Sequence, residues 1–441
     1  MLWRWLQLPR GLVAALAVAG SLVIVQHSNV RGETVAPAAF AAAPTAPAVT
    51  APNCRFHAGA HAADTIDFAS TVPPLTKIPI KHVIVLMQEN HSFDHYFGRL
   101  QVFGQPEAEG FPADFNNPDG GGRPITPFHL PTTCFPRDPP HQWPNARAQW
   151  NAGRMDGFVT SADDDDGDGR WAMGYFDGRD LPFYYWAANT FTVADRYFSA
   201  ALGGTWPNRQ FLYAATAQTP RSKTGLLTGR RTLFDLLDQA HVSWRVYGDG
   251  PPRQDCIGWH PGRRGLESEA AFREALAAGT LPAVSFLDPG PEDEHPPADV
   301  QRGERWARAV YGMLTQSSVW PTTAMFITYD EGGGFFDHVA PPEACPPDPG
   351  RPDLDRRGTR VPFVLISPWV RPHQVSHVVH DHTSIVRFIE LLHDLPALSD
   401  RDANADALLD LFDFSAPQML VPPRPPDAGR RGCKPVTVAH L

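Results

Sequence analysis

Val83-Ile84-Val85-Leu86-Met87 runs straight into Gln88-Glu89-Asn90-His91-Ser92-Phe93-Asp94-His95. Five consecutive apolar residues, three of them β-branched, predict a strand buried on both faces rather than one with a wet side. Similar runs follow downstream. Ser243–Tyr247, Ala283–Leu287, Ala324–Tyr329 and Val361–Ile366 read as strands. Helical patterns separate them: one starting at Thr232, then Glu267–Ala278, Arg302–Gln316 and, after the last strand, His382–His393. Strands alternating with helices predict an α/β fold with a mostly parallel central sheet and helices on both faces. The Gly/Pro/Asp-rich segment from Gln101 to about Asp180 reads as a long, loop-rich insertion.

In open α/β sheets ligands bind beyond the carboxyl ends of the strands, so the residues after each run carry the functional reading. Glu89-Asn90 follows the first run and Asp330-Glu331-Gly332-Gly333-Gly334 follows Ala324–Tyr329. Asp288 and Glu292-Asp293-Glu294-His295 follow Ala283–Leu287. Three strand ends thus deliver carboxylates to one rim. Crowded like charges raise one another's pKa unless a cation compensates them. The set Glu89, Asn90, Asp330 and Glu331 is all oxygen, which suits one hard divalent ion (Ca²⁺, Mg²⁺ or Mn²⁺) better than Zn²⁺. The glycines permit a sharp turn and a close backbone approach.

Gly203-Gly204-Thr205-Trp206-Pro207-Asn208-Arg209 places a hydroxyl where a helix starts. Spacing favours Thr205 as the N-cap of that helix; a nucleophile facing an anion-favouring helix N-terminus is the other reading. Asp164-Asp165-Asp166-Gly167-Asp168-Gly169 imitates the start of a calcium loop, but Tyr175 stands where the bidentate Glu belongs, so it reads as a solvated acidic loop. In His380-Asp381-His382 the aspartate caps the following helix and the cluster reads as structural; His141 alone reads as a surface histidine.

Composition sets the class. Of 441 residues, 42% are hydrophobic and 20% charged, which is globular. A net charge of −10 argues against a nucleic-acid binder held by phosphate contacts. It leaves room only for local or apolar contact with a membrane. The 46 prolines imply long, stiffened loops. Residues 1–33 carry Arg4 and Arg10 before the run Leu12–Val18, the pattern of a signal peptide or an N-terminal anchor, and so of a secreted or envelope-associated chain. Residues 34–75 read as an Ala/Pro-rich tether, 76–420 as the catalytic domain and 421–441 as a loose Pro-rich tail. The five cysteines, Cys54, Cys134, Cys256, Cys345 and Cys433, show no CxxC spacing. A structural zinc site is therefore not expected, pairings stay open, and at least one thiol is left over within the chain.

His82 to Gly98 closely resembles the opening motif of the bacterial phospholipase C/acid phosphatase phosphoesterase family, relatives within the alkaline phosphatase superfamily. Gly204–Arg209 resembles its nucleophile motif, Tyr329–Val339 its second metal motif, and Arg360-Val361-Pro362 the strand beyond. Glu292–Pro296 and the stretch from His141 to Phe158 fit as well. The resemblance runs from about Lys81 to Leu395 in the family's motif order. It implies one metal ion held by Glu89, Asn90, Asp330 and Glu331, with Thr205 as a nucleophile that forms a transient phosphothreonine. His141, His295 and Glu294 would bind phosphate oxygens or protonate the leaving group, and Asn90, His295 and Arg209 would contact substrate. Asp330-Glu331 with the phenylalanine pair looks more like the phospholipase branch than the acid phosphatase branch. The expected activity is phospholipase C-type hydrolysis of phospholipid phosphodiesters. The alternatives are an acid phosphatase acting on monoesters and an inactive surface binding protein.

Overall fold

The computed structural model describes residues 52–66, 77–135, 137–163, 168–223, 227–249 and 265–433. The expected signal or anchor, Cys256 and most of the acidic Asp164–Gly169 loop lie outside the described residues. Among the described residues no helix is long and apolar enough to cross a membrane.

Eight strands form one sheet. In chain order they are β1 (His82–Gln88), β2 (Thr192–Ala194), β3 (Trp244–Tyr247), β4 (Leu266–Glu267), β5 (Val284–Leu287), β6 (Thr323–Tyr329), β7 (Phe363–Ile366) and β8 (Gln374–Ser376). Their spatial order is β8-β2-β7-β6-β1-β5-β3-β4. The apolar run that opens the reading is central: β1 pairs in parallel with β5 and with β6, and all its residues but His82 are buried. β6 is buried along its whole length. The continuous apolar pattern therefore means what parallel-sheet sterics require, cover on both faces. One strand runs the other way: β7 is antiparallel to both β6 and β2. β2 and β8 are only three residues long, too short for an apolar pattern to announce them.

The helices that matter below are α1 (Phe93–Phe97), α2 (Trp143–Trp150), α3 (Pro182–Thr190), α4 (Thr205–Ala214), α5 (Leu233–Gln239), α6 (Glu269–Ala278), α7 (Val300–Gln316) and α8 (His382–His393). They pack in two groups, α4 with α5 and α8, and α7 with α3 and α6. Caps explain several starts. Thr232 and Asp235 form a capping box for α5, Asp299 caps α7, and Asp381 caps α8, as the His380-Asp381-His382 pattern suggested. The insertion carries its own small core of Phe111, Met155, Phe158, Val159, Ala172 and Met173, into which Phe336 from the glycine-rich loop is driven.

Two flanking segments are held more firmly than their composition suggests. Residues 52–66, expected within the tether, dock on the domain: Phe56 and Asn404 exchange hydrogen bonds, Ala58 N–H donates to Asp400, and Cys54 is bonded to Cys345. The Pro-rich tail is strapped along α7 rather than loose. Tyr311 donates to the Pro423 carbonyl, Gly429 N–H to Glu304, and Arg431 N–H to Gln301, while Arg431 also pairs with Asp180. Cys134–Cys433 closes the strap. Prolines cannot donate, so side chains of α7 capture the tail's carbonyls and its remaining N–H groups.

With its partners 299 positions apart, Cys134–Cys433 restricts the unfolded chain strongly. Cys433→Ser is expected to lower stability by about 2–4 kcal/mol, seen as an earlier midpoint in non-reducing denaturant unfolding, with peptide mapping confirming that Cys54–Cys345 persists.

Candidate active site

Strand register alone assembles the first part of the site. Gln88 of β1 stands opposite Tyr329 of β6, so Glu89 and Asp330 leave the sheet side by side. Leu86 stands opposite Leu287 of β5, which puts Asp288 on the same rim. Beneath these carboxylates lies Arg209. Its Nη1 donates to Asp288 Oδ1 at 2.8 Å and its Nη2 to Glu89 Oε1 at 3.1 Å, while Nε stands 3.5 Å from Asp330 Oδ2. The guanidinium is fully buried. The substrate contact expected of Arg209 is thus corrected. All three of its nitrogens face carboxylates, leaving it to neutralise and hold the rim from below.

The turn after β1 is left-handed at Asn90 (φ 72°), a conformation asparagine tolerates better than most residues. Gly333 makes it possible: a Cβ there would meet the Asn90 carbonyl oxygen at 2.0 Å. Gly333 N–H also donates to Glu331 Oε2 at 2.8 Å, fixing that carboxylate. Gly334 lets the Pro139-Pro140-His141 segment approach, since a Cβ would meet the Pro140 carbonyl at 2.8 Å. The two phenylalanines that follow are anchors. Phe335 stacks on His95 with ring centres 3.8 Å apart, and Phe336 meets Phe111.

The Asn90 amide has two orientations, and the surroundings distinguish what each demands. In one, its nitrogen donates to Asp330 Oδ1 (3.0 Å) and Glu331 Oε1 (3.1 Å) while its oxygen accepts from His295 Nε2 (3.0 Å). In the other, three oxygens (Asn90 Oδ1, Asp330 Oδ1 and Glu331 Oε1) converge with no donor between them. That second arrangement is stable around a cation or with one carboxyl protonated. Burial, reinforced for Asp330 by the Glu89 charge, raises Asp330 to about 6; burial raises Glu331 to about 8, with Asp330 adding to it and His141 opposing. Asp330 Oδ2 has no hydrogen-bond partner among the described residues. The donor set therefore fits a hard divalent ion, and Asn90, Asp330 and Glu331 are the residues that offer it converging atoms. Glu89 adjoins them through Arg209 rather than through the Asn90 amide.

Two histidines border the oxygens. His141 donates from Nδ1 to the Pro139 carbonyl (2.7 Å), turning Nε2 toward Glu331 Oε1 at 3.7 Å. Burial lowers its pKa, but the Glu331 and Asp138 carboxylates outweigh that and raise it to about 10. His295 donates from Nδ1 to the Pro296 carbonyl, and its ring stands edge-on to His141 with centres 5.9 Å apart. His141 is therefore buried beside Glu331 and is not the lone surface histidine its sequence context suggests. Asp138 lies 3.4 Å from His141 Nδ1 and 3.9 Å from His295 Nε2. No pattern in the sequence marked it. Of the His380-Asp381-His382 cluster, His382 supports the site: its Nε2 donates to the Asp330 carbonyl (2.7 Å) and Nδ1 accepts from the Tyr197 hydroxyl (3.1 Å).

Glu294 does not line the site. Its carboxylate is fully buried and accepts from the hydroxyls of Tyr96 (2.7 Å), Tyr184 (2.6 Å) and Tyr329 (2.5 Å). Burial raises it to about 8 against the opposing pull of those hydroxyls. The leaving-group role expected of it is corrected to one of fixing the chain just before His295.

Thr205 is the first residue of α4; Gly204, not Thr205, is the N-cap, with no side-chain cap bond. The hydroxyl is therefore not spent as a cap, contrary to what its spacing favoured. Asn208 pins the approach by donating to the Gly203 and Gly204 carbonyls and accepting from Ala201 N–H. Arg209 is four residues on, on the face of α4 that carries Thr205, and it reaches the rim carboxylates. The two glycines relieve crowding: a Cβ on Gly204 would lie 3.0 Å from the Gln142 amide, and one on Gly203 2.9 Å from the Pro220 carbonyl. The open N-terminus of α4, whose free N–H groups favour anions, thus belongs to the same helix whose Arg209 reaches the rim carboxylates.

The chain has recognisable relatives among known proteins. Residues 80–396 match the model of the Phosphoesterase family. Phospholipase C B of Mycobacterium tuberculosis is 31% identical, over 77% of this chain and 78% of its own. Non-hemolytic phospholipase C of Pseudomonas aeruginosa is 31% identical over 80% of this chain and 60% of its own, and non-specific phospholipase C6 of Arabidopsis thaliana is 31% identical over 76% and 72%. A solved protein of the alkaline phosphatase superfamily from Vibrio parahaemolyticus aligns at 12% identity and a TM-score of 0.39, over 75% of this chain and 69% of that one. The chain belongs to the phosphoesterase family and is a hydrolase acting on phosphoester bonds.

Proposed function

We propose that this chain is an exported, metal-dependent phosphodiesterase of phospholipase C type that uses Thr205 as its nucleophile. The observation that carries the reading is the convergence of Asn90, Asp330 and Glu331 oxygens on the rim that Arg209 of α4, one turn past Thr205, reaches. The phospholipase names of the relatives support the substrate class. Export is supported by the apolar N-terminal run and by two disulfides, which persist in oxidising compartments.

Glu89, Asn90, Asp330 and Glu331 would hold the ion, with Arg209 balancing the excess negative charge. When bound, the ion supplies Lewis-acid polarisation of the phosphoryl oxygens, lowers the pKa of the Thr205 hydroxyl, and draws the His141 pKa down from its elevated value. Thr205 Oγ1 attacks phosphorus as its proton passes to solvent, and the bond to the diacylglycerol oxygen breaks. His141 is protonated through its carboxylate neighbours and hands a proton to that leaving oxygen. His295 binds a phosphoryl oxygen. Water then attacks phosphorus, the phosphothreonine ester breaks, and the phosphorylated head group leaves as Thr205 regains its proton.

Purified protein is expected to turn over a choline phosphodiester chromogen faster than a simple phosphomonoester; the reverse preference would favour an acid phosphatase. Thr205→Ala should cut kcat roughly 10³-fold or more without changing the unfolding midpoint. His141→Ala should cost about 10²–10⁴-fold on an alkyl diester and far less on a nitrophenyl ester, whose leaving group needs no proton.

A further inference from the structure

The net charge of −10 and the low lysine content give no broad cationic face, yet arginines are gathered at one place beside the site. The Arg221 guanidinium lies 3.8 Å from the centre of the Trp143 ring. Arg147 lies 5.1 Å from Trp143 and 5.5 Å from Trp150, and Arg356 lies 4.7 Å from Trp150. Cation and indole alternate through five side chains, Arg221-Trp143-Arg147-Trp150-Arg356, drawn from α2 and two separate loops. Each contact holds the guanidinium against an indole face and stiffens an otherwise mobile arginine.

The wall adjoins the mouth. Trp143 is two residues beyond His141, and Gln142 between them touches the Gly204 position. Arg221 follows Pro220, whose carbonyl abuts Gly203 in the nucleophile loop. Arg147 and Arg221 are exposed and form no salt bridge among the described residues, although the Arg221 charge helps lower the Asp353 pKa. Arg356 is partly spent on Glu343. Unpaired guanidiniums held against indole faces match the chemistry of a bilayer's interfacial zone, where tryptophan sits at head-group level and arginine meets anionic phosphates.

We propose that this arginine–tryptophan wall docks the protein on the surface of an anionic phospholipid bilayer, presenting the site to lipids in the membrane plane. The proposal rests on the phospholipase reading and adds to it a surface distinct from the catalytic residues. Two unpaired arginines near an anionic surface together change partition by roughly thirtyfold.

The test compares wild type with the double variant Arg147→Ala/Arg221→Ala, both sites being exposed. Cosedimentation uses vesicles of phosphatidylcholine with and without phosphatidylglycerol, and activity is measured on those vesicles and on a monomeric short-chain diester. Expected are wild-type binding that needs phosphatidylglycerol and fades with added salt, a drop of roughly thirtyfold in the double variant, and unchanged turnover of the monomeric diester. Unaltered vesicle binding would overturn the proposal. So would equal loss on monomer and vesicle, which would make the wall a head-group subsite. Vesicle binding is scored without turnover, so a wild type inert on every phosphodiester would sink the phospholipase reading while leaving the docking result legible.

Discussion

The carboxylates of Glu89, Asp330 and Asp288 are brought to one rim by β-sheet register, and their mutual repulsion has to be cancelled. Two like charges about 4 Å apart cost roughly 4 kcal/mol even at an effective dielectric constant of about 20. Arg209 cancels part of it from below, with a fully buried guanidinium spread over all three. It comes from α4, one turn past Thr205, so the same contact that neutralises the rim also sets the helix that carries Thr205. Charge compensation and the placement of Thr205 are thus one structural event. Above the rim, burial together with the neighbouring carboxylates pushes the Asp330 and Glu331 pKa values up.

A second buried arginine holds the loops that frame the rim. Arg360 pairs with Asp94 and Asp337 at 2.9 Å each and donates to the Asp195 carbonyl at 2.9 Å, while His338 donates to Asp94. The cluster Asp94-Asp337-His338 has metal-like spacing, but the guanidinium already fills its centre. It ties the start of α1 to the end of the glycine-rich loop. Removing one partner would leave a buried charge unpaired, which typically costs about 3–5 kcal/mol. The Asn90 turn and the Glu331 carboxylate therefore sit between two fixed ends.

Much of this was legible in sequence because strands buried on both faces advertise themselves. β1, β5 and β6 are apolar runs that stop abruptly at acidic residues, and strand adjacency converts those stops into a site. Side-chain direction was not legible. Glu294 and His295 are consecutive, yet one faces three tyrosine hydroxyls and the other faces Asn90. Arg209 belongs to a motif that resemblance ties to substrate, while its length and position on α4 carry it under the sheet end. Thr205 reads as a cap until backbone geometry shows that Gly204 occupies that position. Asp138 is one acid among many in a proline-rich stretch, and only folding brings it to the histidines. The tail misled for a related reason: prolines signal absent donors, but say nothing about the side chains that accept the chain's company.

The central claim is that the converging oxygens of Asn90, Asp330 and Glu331 exist to hold a divalent cation. Metal content per chain, measured on protein purified without chelator, stripped, and reloaded with Ca²⁺, Mg²⁺ or Mn²⁺, tests it most directly. The account requires one tightly held ion per chain in the wild type, lost in Asp330→Asn while the fold persists. An exhaustively stripped wild type that binds no ion and still hydrolyses a phosphodiester would contradict it.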